Sequence, residues 1–342
     1  MSYKLIEITD EEDYNPLELY KNTQFTQSWF YGQWQEHLGR KIDRFALLED
    51  SETIAYFQAI PHALPLGKKY LYIPFGPVFK AQPDARMTDT ITAGLKSHYK
   101  NQNVVFARFD PDGDFTAIAD KNIGNWQTVP KFVGREASFR PRGEMVVNLD
   151  NEDDVFKRFD KNTRYSVRYG GKHDVTTSVN PDLLSGLDDF YRLLSFTAEL
   201  QDFAIFKKDY YQNMLEICAK RENAYFIEAR KDNQVISSKL IITYGHVAHS
   251  LLSGTDELGR KLRVPALVQW ESMREALKRG CTRYSIGGAS SSESDYPSIK
   301  RVTKYKQGFG GKITVHSSLY DAVFQPLAYH GYNLYKRVRS VK

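Results

Sequence analysis

One order of predicted elements occurs twice along the chain, and this repetition limits the folds open to it. In each half, a predicted strand, a tight turn and a second strand precede an extended segment, a helix and a buried strand. The second strand of this series begins near Ile54 in the first half and near Val235 in the second, 181 residues later. The last strands begin near Val104 and Arg283, 179 residues apart. These near-equal spacings favour a duplicated α/β unit, with a chance match between common strand–helix–strand units as the alternative.

Hydrophobic periodicity and turn residues give the bounds of the predicted elements. Helices are predicted at 30–38, 87–99, 154–173, 187–198, 209–219 and 263–279, and strands at 44–49, 53–60, 104–109, 224–230, 235–252 (one long strand or two joined) and 283–286.

The length of 342 residues suits two domains. We expect the first to comprise residues 1–150 together with a returning segment, 317–342, and the second to comprise residues 151–316. The two cysteines, Cys218 and Cys281, form no CxxC pair and are interpreted as packing residues. We predict no metal site, since His246 and His249 would lie on opposite faces of a strand. The first ten residues do not resemble a signal peptide and no stretch is apolar enough to span a membrane, so we expect a cytoplasmic protein.

Five basic residues lie on one face of the helix predicted at 154–173. They are spaced 4, 3, 4 and 4 residues apart, as a helical face requires. Like charges at this spacing repel one another, so the pattern is easier to explain if the face meets phosphates. A solvated lysine-rich face is the alternative. The five residues are Lys157, Lys161, Arg164, Arg168 and Lys172.

A second basic segment, Lys300 to Gly311, ends in a glycine-rich turn. In a strand, Lys304 and Lys306 would point to the same face. A lysine aimed into a cleft can stabilise an oxyanion during acyl transfer. An exposed strand followed by a flexible glycine turn is the alternative.

This segment resembles the "YxFKxxFG" signature of the FemABX aminoacyltransferases, written here as KYKQGFGG from Lys304 to Gly311. Other stretches are similar to the same family, in the family's order. They are FTQSW at 25–29 followed by Trp34-Gln35, RFDP at 108–111, KNTRYSVR at 161–168, the pair Tyr210-Tyr211, and 280–288, where Ser285 stands in place of the usual Asp.

The resemblance implies an α/β (α+β) fold of two tandem GNAT-like domains with a cleft between them. No sustained heptads occur, so the chain is similar to the compact members without a coiled coil. The family transfers an amino acid from aminoacyl-tRNA to an amine of the peptidoglycan stem peptide, building interpeptide bridges without a bound cofactor. Its acceptors are UDP-MurNAc-pentapeptide or lipid II, and the latter would bring transient contact with the inner membrane surface.

The resemblance also implies roles for single residues. Lys306 would stabilise the oxyanion, with Tyr305 beside it in the catalytic set. Asp110 would accept a proton or bind the amine, unless it is simply a turn aspartate before proline. Substrate-binding positions are Trp34, Gln35, Lys207, Lys208, Tyr210, Tyr211 and Lys304. Two places depart from the compact members, which carry basic residues there that grip the UDP diphosphate. This chain has Gln35 at the first place. Ahead of the paired tyrosines it has Phe206 followed by Lys207 and Lys208, one of which would substitute, although lysine and arginine grip phosphate differently.

Two other functions stay open. An ordinary GNAT acyltransferase cradles the CoA pyrophosphate with backbone N–H groups of a glycine-rich loop. The segment of this chain that aligns with that loop is Arg260 to Pro265. It has Arg263 and Pro265 where the loop needs small residues, which disfavours CoA binding. A non-catalytic RNA-binding protein would explain the basic helix but would not need the Lys304–Gly311 motif.

Overall fold

The computed structural model describes residues 2–113, 121–129, 143–292 and 297–340. These residues form two compact units, the first made of 1–142 with 315–342 and the second of 143–314. Of the helices in these ranges, none is both long enough and apolar enough to cross a bilayer.

The first unit is built on a nine-stranded sheet. Its elements up to residue 142 are β1 (Tyr3–Ile8), α1 (Pro16–Leu19), α2 (Trp29–His37), β2 (Asp43–Glu49), β3 (Glu52–Ala63), β4 (Lys69–Ile73), β5 (Val78–Phe79), α3 (Ala85–His98), β6 (Val104–Phe109), β7 (Asp112–Gly113) and β8 (Trp126–Thr128), with single 3-10 turns at Glu11–Asp13 and Phe25–Gln27.

The second unit is built on a seven-stranded sheet. Its elements are β9 (Gly143–Asn148), α4 (Glu152–Arg158), α5 (Lys161–Gly170), β10 (Thr176–Asn180), α6 (Leu187–Gln201), α7 (Lys208–Ala219), β11 (Ala224–Lys231), β12 (Gln234–Tyr244), β13 (Val247–Thr255), α8 (Glu257–Lys261), α9 (Val264–Lys278), β14 (Arg283–Ala289), α10 (Pro297–Gln307) and β15 (Lys312–Val315). The chain then returns to the first sheet with β16 (Tyr320–Val323) and α11 (Pro326–Ser340).

The two sheets share one strand order, which confirms the predicted α/β class and repeated order of elements. The first runs β1-β2-β3-β4-β6-β16-β8 and the second β10-β11-β12-β13-β14-β9-β15. In each unit two hairpins, β2-β3-β4 or β11-β12-β13, are followed by a helix, α3 or α9, and then by a strand, β6 or β14, that runs parallel to the last hairpin strand, β4 or β13. The helix is the crossover that a parallel pair needs.

Local sequence explains the turns that define this repeat. Asp232 and Asn233, between β11 and β12, both have positive φ, which Asp and Asn tolerate in a two-residue hairpin. The side chain of Asp84 accepts a hydrogen bond of 2.8 Å from the Met87 amide and begins α3. Gly280, with φ of +78°, ends α9.

Apolar side chains fill a separate core in each unit. In the first, Phe57, Leu71, Phe109 and Trp126 are almost wholly buried, and the rings of Phe109 and Trp126 stack with centroids 3.9 Å apart. In the second, α9 packs against the sheet around Tyr284 and its neighbours. Each sheet is therefore backed by a packed apolar core, which fixes the positions of the polar side chains that its strands and helices carry.

Two predicted elements are wrong. The helix predicted at 154–173 is two helices, because Phe159 is extended (φ −63°, ψ 145°) and the Asp160 side chain starts α5 by capping the Thr163 amide. The basic segment near residue 304 is not a strand but the helix α10. Lys304 and Lys306 are two residues apart on a helix and so do not share a face.

Candidate functional site

The second sheet opens between two of its parallel strands. Within the described residues, the pairing of β13 with β14 covers only Val247–His249 and Arg283–Ser285. Beyond these positions β13 continues to Thr255 and β14 to Ala289. In the first sheet, by contrast, the equivalent pairing of β4 with β6 extends to their last residues, Ile73 and Phe109. The opening is therefore a feature of the second unit.

Lys306 reaches this opening from α10. Its Nζ donates a hydrogen bond of 2.6 Å to the carbonyl oxygen of Gly288 on β14. A Cβ atom at Gly287 would lie 3.6 Å from that Nζ and 3.9 Å from the carbonyl oxygen of Ser250 on β13. Gly287 has φ of +85°, which favours glycine, so β14 leaves free space beside the ammonium group.

Burial lowers the pKa of Lys306 to about 8, against the opposing effect of the Glu144 carboxylate. Glu144 lies on β9 and accepts a short hydrogen bond from the Ser285 hydroxyl, which in turn accepts the Gly287 amide at 3.1 Å. Ser285 is the position where the FemABX family usually has Asp. In this chain, the carboxylate near Lys306 comes instead from the neighbouring strand.

Lys239, which sequence reasoning missed, lies at the same opening. It is on β12, is 7% exposed, and donates a hydrogen bond of 2.9 Å to the Ser250 hydroxyl. Burial, and next the charge of Lys306, lower its pKa to about 7. The available signal was the single charged residue among the 11 residues of β12.

The other two motif residues lie differently from Lys306. Lys304 is exposed. Tyr305 is 48% exposed, and its ring meets the edge of the buried Phe309 ring at 5.3 Å. The expectation that Lys304 and Lys306 act from one face of a strand is wrong, and the reach of Lys306 into the opening is set by the helix.

Asp110 is completely buried at the end of β6. Its amide donates a hydrogen bond of 2.9 Å to the carbonyl oxygen of Gly76. Two residues on, Asp112 accepts a hydrogen bond of 2.8 Å from the Thr23 hydroxyl. Burial raises the pKa of Asp112 to about 6, while His316 and the Thr23 bond oppose the shift. The first unit thus brings two carboxyl groups together where sequence reasoning singled out one.

The predicted substrate residues of α2 are buried. Gln35 is 1% exposed and accepts a short hydrogen bond from Arg40, and Trp34 is 7% exposed with its ring edge-on to Tyr31 at 5.5 Å. Gln35 therefore binds the guanidinium of Arg40.

The predicted residues at the start of α7 divide between core and surface. Tyr211 is 3% exposed and packs into the unit, whereas Tyr210 stacks on the exposed ring of Phe206 with centroids 3.9 Å apart. Lys207 is exposed, and Lys208 pairs with Asp188. Lys207 is therefore the exposed cation of this group, and Tyr210 is partly buried.

The five basic residues predicted on one helix face do not form a single face. The break at Phe159 separates Lys157 from the other four. Arg164 donates hydrogen bonds to the carbonyl oxygens of Lys157 and Phe159 at the end of α4, so part of its role is structural. Arg168 lies 5.5 Å from the centre of the Phe156 ring, and Lys161 and Lys172 are exposed.

The segment that would hold a CoA pyrophosphate is occupied by side chains. Arg263 precedes α9 in the left-handed conformation, with its guanidinium 5.1 Å from the ring centre of Tyr165 and 5.7 Å from that of Tyr169. Pro265, in the first turn of α9, has no N–H to offer a phosphate. The geometry strengthens the sequence argument against a CoA cradle.

Among the described residues, one group of acidic and histidine side chains places ligand atoms within 4.8 Å of one another, namely Glu7, Asp43 and His98. The hydroxyl of Tyr99 and the ammonium of Lys41 already bind the Asp43 carboxylate. We assign no metal to this group.

Comparison with known sequences gives one family. The model of the FemAB family matches residues 9–227 and again residues 219–337. No curated protein matches the sequence significantly.

Solved structures with the same fold cover almost the whole chain. The crystal structure of FemX has a TM-score of 0.81 at 15% identity, covering 96% of this chain and 99% of FemX. A conserved protein of unknown function from Bacteroides thetaiotaomicron VPI-5482 has a TM-score of 0.57 at 9% identity over 93% of this chain and 98% of its own. A tandem GNAT protein from the clavulanic acid biosynthesis pathway has a TM-score of 0.52 at 9% identity over 94% and 98%. These matches confirm the predicted fold, a mixed α/β arrangement of tandem GNAT-like units.

Proposed function

The chain belongs to the FemAB family, and on that premise we propose that it transfers an amino acid from aminoacyl-tRNA to an amine of a peptidoglycan stem peptide. At the level of the family, the chain is a peptidoglycan aminoacyltransferase. The tRNA donor and the role in bridge formation are the parts that we propose.

The observation that carries this proposal is the position of Lys306 at the opening between β13 and β14. In ester aminolysis the amine nitrogen bonds to the carbonyl carbon, and the carbonyl oxygen becomes an oxyanion before the bond to the ribose oxygen breaks. An ammonium group held in a poorly hydrated place stabilises that charge more than water does. With a pKa of about 8, Lys306 carries its proton in most molecules at neutral pH. Its bond to Gly288 fixes its direction.

The proposed proton acceptor or amine-binding group is Asp110, with Asp112 as its neighbour. A carboxyl group with a raised pKa, such as Asp112, is a better base near neutral pH than an ordinary aspartate. We assign Tyr305 a supporting place in the same catalytic set, on the motif alone.

A tRNA donor agrees with the surface of α5 and the segment after it. Lys161 and Lys172 are exposed cations there, and Lys157 is exposed on α4. The segment that would cradle CoA instead holds Arg263 against two tyrosine rings. We propose that the basic surface binds phosphates of the tRNA acceptor arm, with Arg164 and Arg168 contributing beside their structural contacts.

For the acceptor, we propose UDP-MurNAc-pentapeptide or lipid II, held by residues that include Tyr210, Lys207 and Lys304. Lys208 pairs with Asp188 and would have to exchange that partner for a diphosphate. Tyr211, Trp34 and Gln35 are buried and would act by positioning their neighbours. A cytoplasmic place for the reaction, with transient contact at the inner membrane for lipid II, follows from these acceptors.

The direct test is to incubate the protein with charged total tRNA and each precursor separately, and to measure the peptide masses. We expect one precursor to gain the mass of an amino acid residue, and expect Lys306→Ala to abolish the gain. Parallel reactions with acetyl-CoA in place of tRNA test the other donor class. Transfer from acetyl-CoA alone, or binding of tRNA without any transfer, would contradict the proposal.

A further inference from the structure

Lys239 is an unusual residue for a central strand. β12 lies between β11 and β13, and the neighbours of Lys239 in sequence, Ser238 and Leu240, are fully buried. Removing a lysine ammonium from water costs several kcal/mol unless an anion or hydrogen bonds compensate. The Ser250 hydroxyl supplies one acceptor at 2.9 Å. A methionine would fill the same volume without this cost, so stability alone does not explain the lysine.

The charged group that acts on Lys239 is a second lysine. Lys306 approaches the same opening from α10, and the repulsion between the two ammonium groups adds to the cost of burial. On β13, His249 is buried with a pKa lowered to about 4, so it is neutral at neutral pH. On β9, Glu144 is the carboxylate that acts on Lys306 and on His249.

Eight charged groups on the other elements that pack against β12 are engaged with partners of their own. These pairs are Glu228 with Arg230 on β11, Arg192 with Asp189 on α6, Lys261 with Glu257 on α8, and Arg274 with Glu271 on α9.

Counted over the part of the chain that the structure describes, the cluster at the opening is therefore one negative charge short of neutral. Two ammonium groups face one carboxylate, Glu144, whose oxygen already accepts the Ser285 hydroxyl. A buried excess of one positive charge is relieved either by loss of a proton or by arrival of one anionic group.

We propose that Lys239 and Lys306 form a two-lysine anion site at the opening of the second sheet, which accepts a singly charged tetrahedral oxyanion. The identity of that anion as the intermediate of acyl transfer rests on the proposed function. Lys239 acts as an anion-binding residue beside Lys306: its charge helps to balance the oxyanion, and the site takes up a proton when the anion arrives.

The space for such an anion lies beside Gly287. That residue offers no side chain, and a Cβ there would come within 4 Å of both Lys306 Nζ and the Ser250 carbonyl oxygen. The hydroxyl of Ser250 orients Lys239 from the opposite strand. The cluster thus joins strands β12, β13 and β14 around one gap in the sheet.

The unit repeat supports a specific role for Lys239. Its counterpart in β3 is Phe57, since Phe57 faces Phe45 across the β2–β3 pair as Lys239 faces Ile227 across the β11–β12 pair. Phe57 is a fully buried core residue. In the first unit, β4 and β6 pair to their ends. The lysine therefore occurs in the unit whose sheet is open, and an apolar ring in the unit whose sheet is closed.

The test uses methyl methylphosphonate, a tetrahedral monoanion, with dimethyl methylphosphonate as its neutral match. Proton uptake on binding is followed with a pH electrode in weakly buffered protein at pH 8 and constant ionic strength. We expect the monoanion to draw about one proton or more per protein molecule, because the lysines with pKa of about 7 and about 8 regain protons. The neutral ester should draw none.

Variants assign the effect to Lys239. In Lys239→Met, proton uptake should fall to less than half and the affinity for the monoanion should fall about tenfold. Lys239→Arg should keep the affinity but take up fewer protons, because arginine stays charged. Lys231→Met is the matched control and should behave as wild type. It removes a lysine on β11 whose ammonium group donates a hydrogen bond to the His173 carbonyl oxygen.

Wild-type protein alone gives a second measurement if a variant does not fold. Affinity for the monoanion should drop about tenfold or more between pH 6 and pH 9, and affinity for the neutral ester should stay level. Equal binding of both esters, or binding without proton uptake, overturns the two-lysine site. This assay needs no tRNA, so a failure to bind the monoanion rejects the two-lysine site and leaves the proposed function untouched. Normal binding of the monoanion without any aminoacyl transfer would instead reject the proposed function and leave the two-lysine site untouched.

Discussion

The guanidinium of Arg108 binds both carboxylate oxygens of Asp321, with two nitrogen–oxygen distances of 2.8 Å, although 213 residues separate them in the chain. Both side chains are almost fully buried, and the Tyr329 hydroxyl donates a further hydrogen bond of 2.8 Å to Asp321. This pair fastens β16 and α11 to β6. The motif around Arg108 suggested an active-site strand, whereas its side chain serves the first unit's own packing.

Asp321→Asn should therefore destabilise the protein by about 3–5 kcal/mol, because it leaves the Arg108 charge buried without its partner. Urea unfolding followed by tryptophan fluorescence measures the change, since three of the four tryptophans, Trp29, Trp34 and Trp126, lie in the first unit. Asp189→Asn removes one carboxylate from an exposed pair with Arg192 and should cost at most about 1 kcal/mol. Similar losses in the two variants would show that the buried pair adds no special stability.

Lys306→Ala should lower the rate of aminoacyl transfer by about 10²–10³-fold, the effect of removing one oxyanion donor. Association with tRNA should be unchanged, since Lys306 is not on the exposed basic surface. Arg301→Ala, which removes a cation from an exposed position of the same helix α10, is the matched control for transfer rate. A single-turnover assay with charged tRNA separates the two steps, and a rate loss confined to Arg301→Ala would contradict the assignment.

Asp112→Asn should stabilise the protein more at pH 8 than at pH 5. The pKa of Asp112 is raised to about 6 in the folded chain, so the folded state holds the proton more tightly than the unfolded state does. Stability contributed by this group is complete below the unfolded pKa and is lost as pH rises through 6. Asparagine mimics the protonated form and removes this loss.

Melting temperatures of wild type and variant across pH 5 to 8 measure the effect of Asp112→Asn. Asp153→Asn makes the same charge change at an exposed position on α4 and should give a difference that varies little over this range. A difference for Asp112→Asn that shrinks with rising pH would show that the carboxylate form is the favoured one.

Lys161→Glu combined with Lys172→Glu should weaken tRNA association in a salt-dependent way. If each lysine meets one phosphate, the slope of log affinity against log salt should decrease by roughly one to two. Both residues are exposed, so folding should be unaffected. Lys220→Glu with Lys278→Glu changes the net charge equally on other exposed positions of the second unit and is the control. Equal losses in the two double variants would point to overall charge rather than a binding surface.

The hairpins and crossover helices were predictable because their signals are local. Turn residues such as Asp232 and Asn233, and the apolar face of α3, depend on neighbours a few positions away. The break between α4 and α5 was missed, although Asp160 is a normal helix-starting residue, because the basic spacing continued across it. The α10 helix was missed for a related reason. Its alternating charges resemble a strand, and only packing of Thr303 and Phe309 against the sheet reveals the helix.

The candidate site was half predictable. The motif identified Lys306 but not Lys239. Lys239 lies on a strand 67 positions earlier, and it comes close to Lys306 only because the pairing of β13 with β14 ends beside both residues. Likewise Glu144 reaches Ser285 from 141 residues away. Residues separated this widely in sequence leave no periodic pattern that would predict their contact. Only the folded sheet shows which charged groups lie close together.

The return of β16 to the first sheet has a consequence during synthesis. β6 and β8 gain their shared neighbour only after residues 143–314 have been translated. Until then Arg108 lacks its carboxylate partner, Asp321, and the first sheet lacks the strand between β6 and β8. We expect the first unit, although its synthesis begins earlier, to complete its fold only once residues 320–340 have left the ribosome.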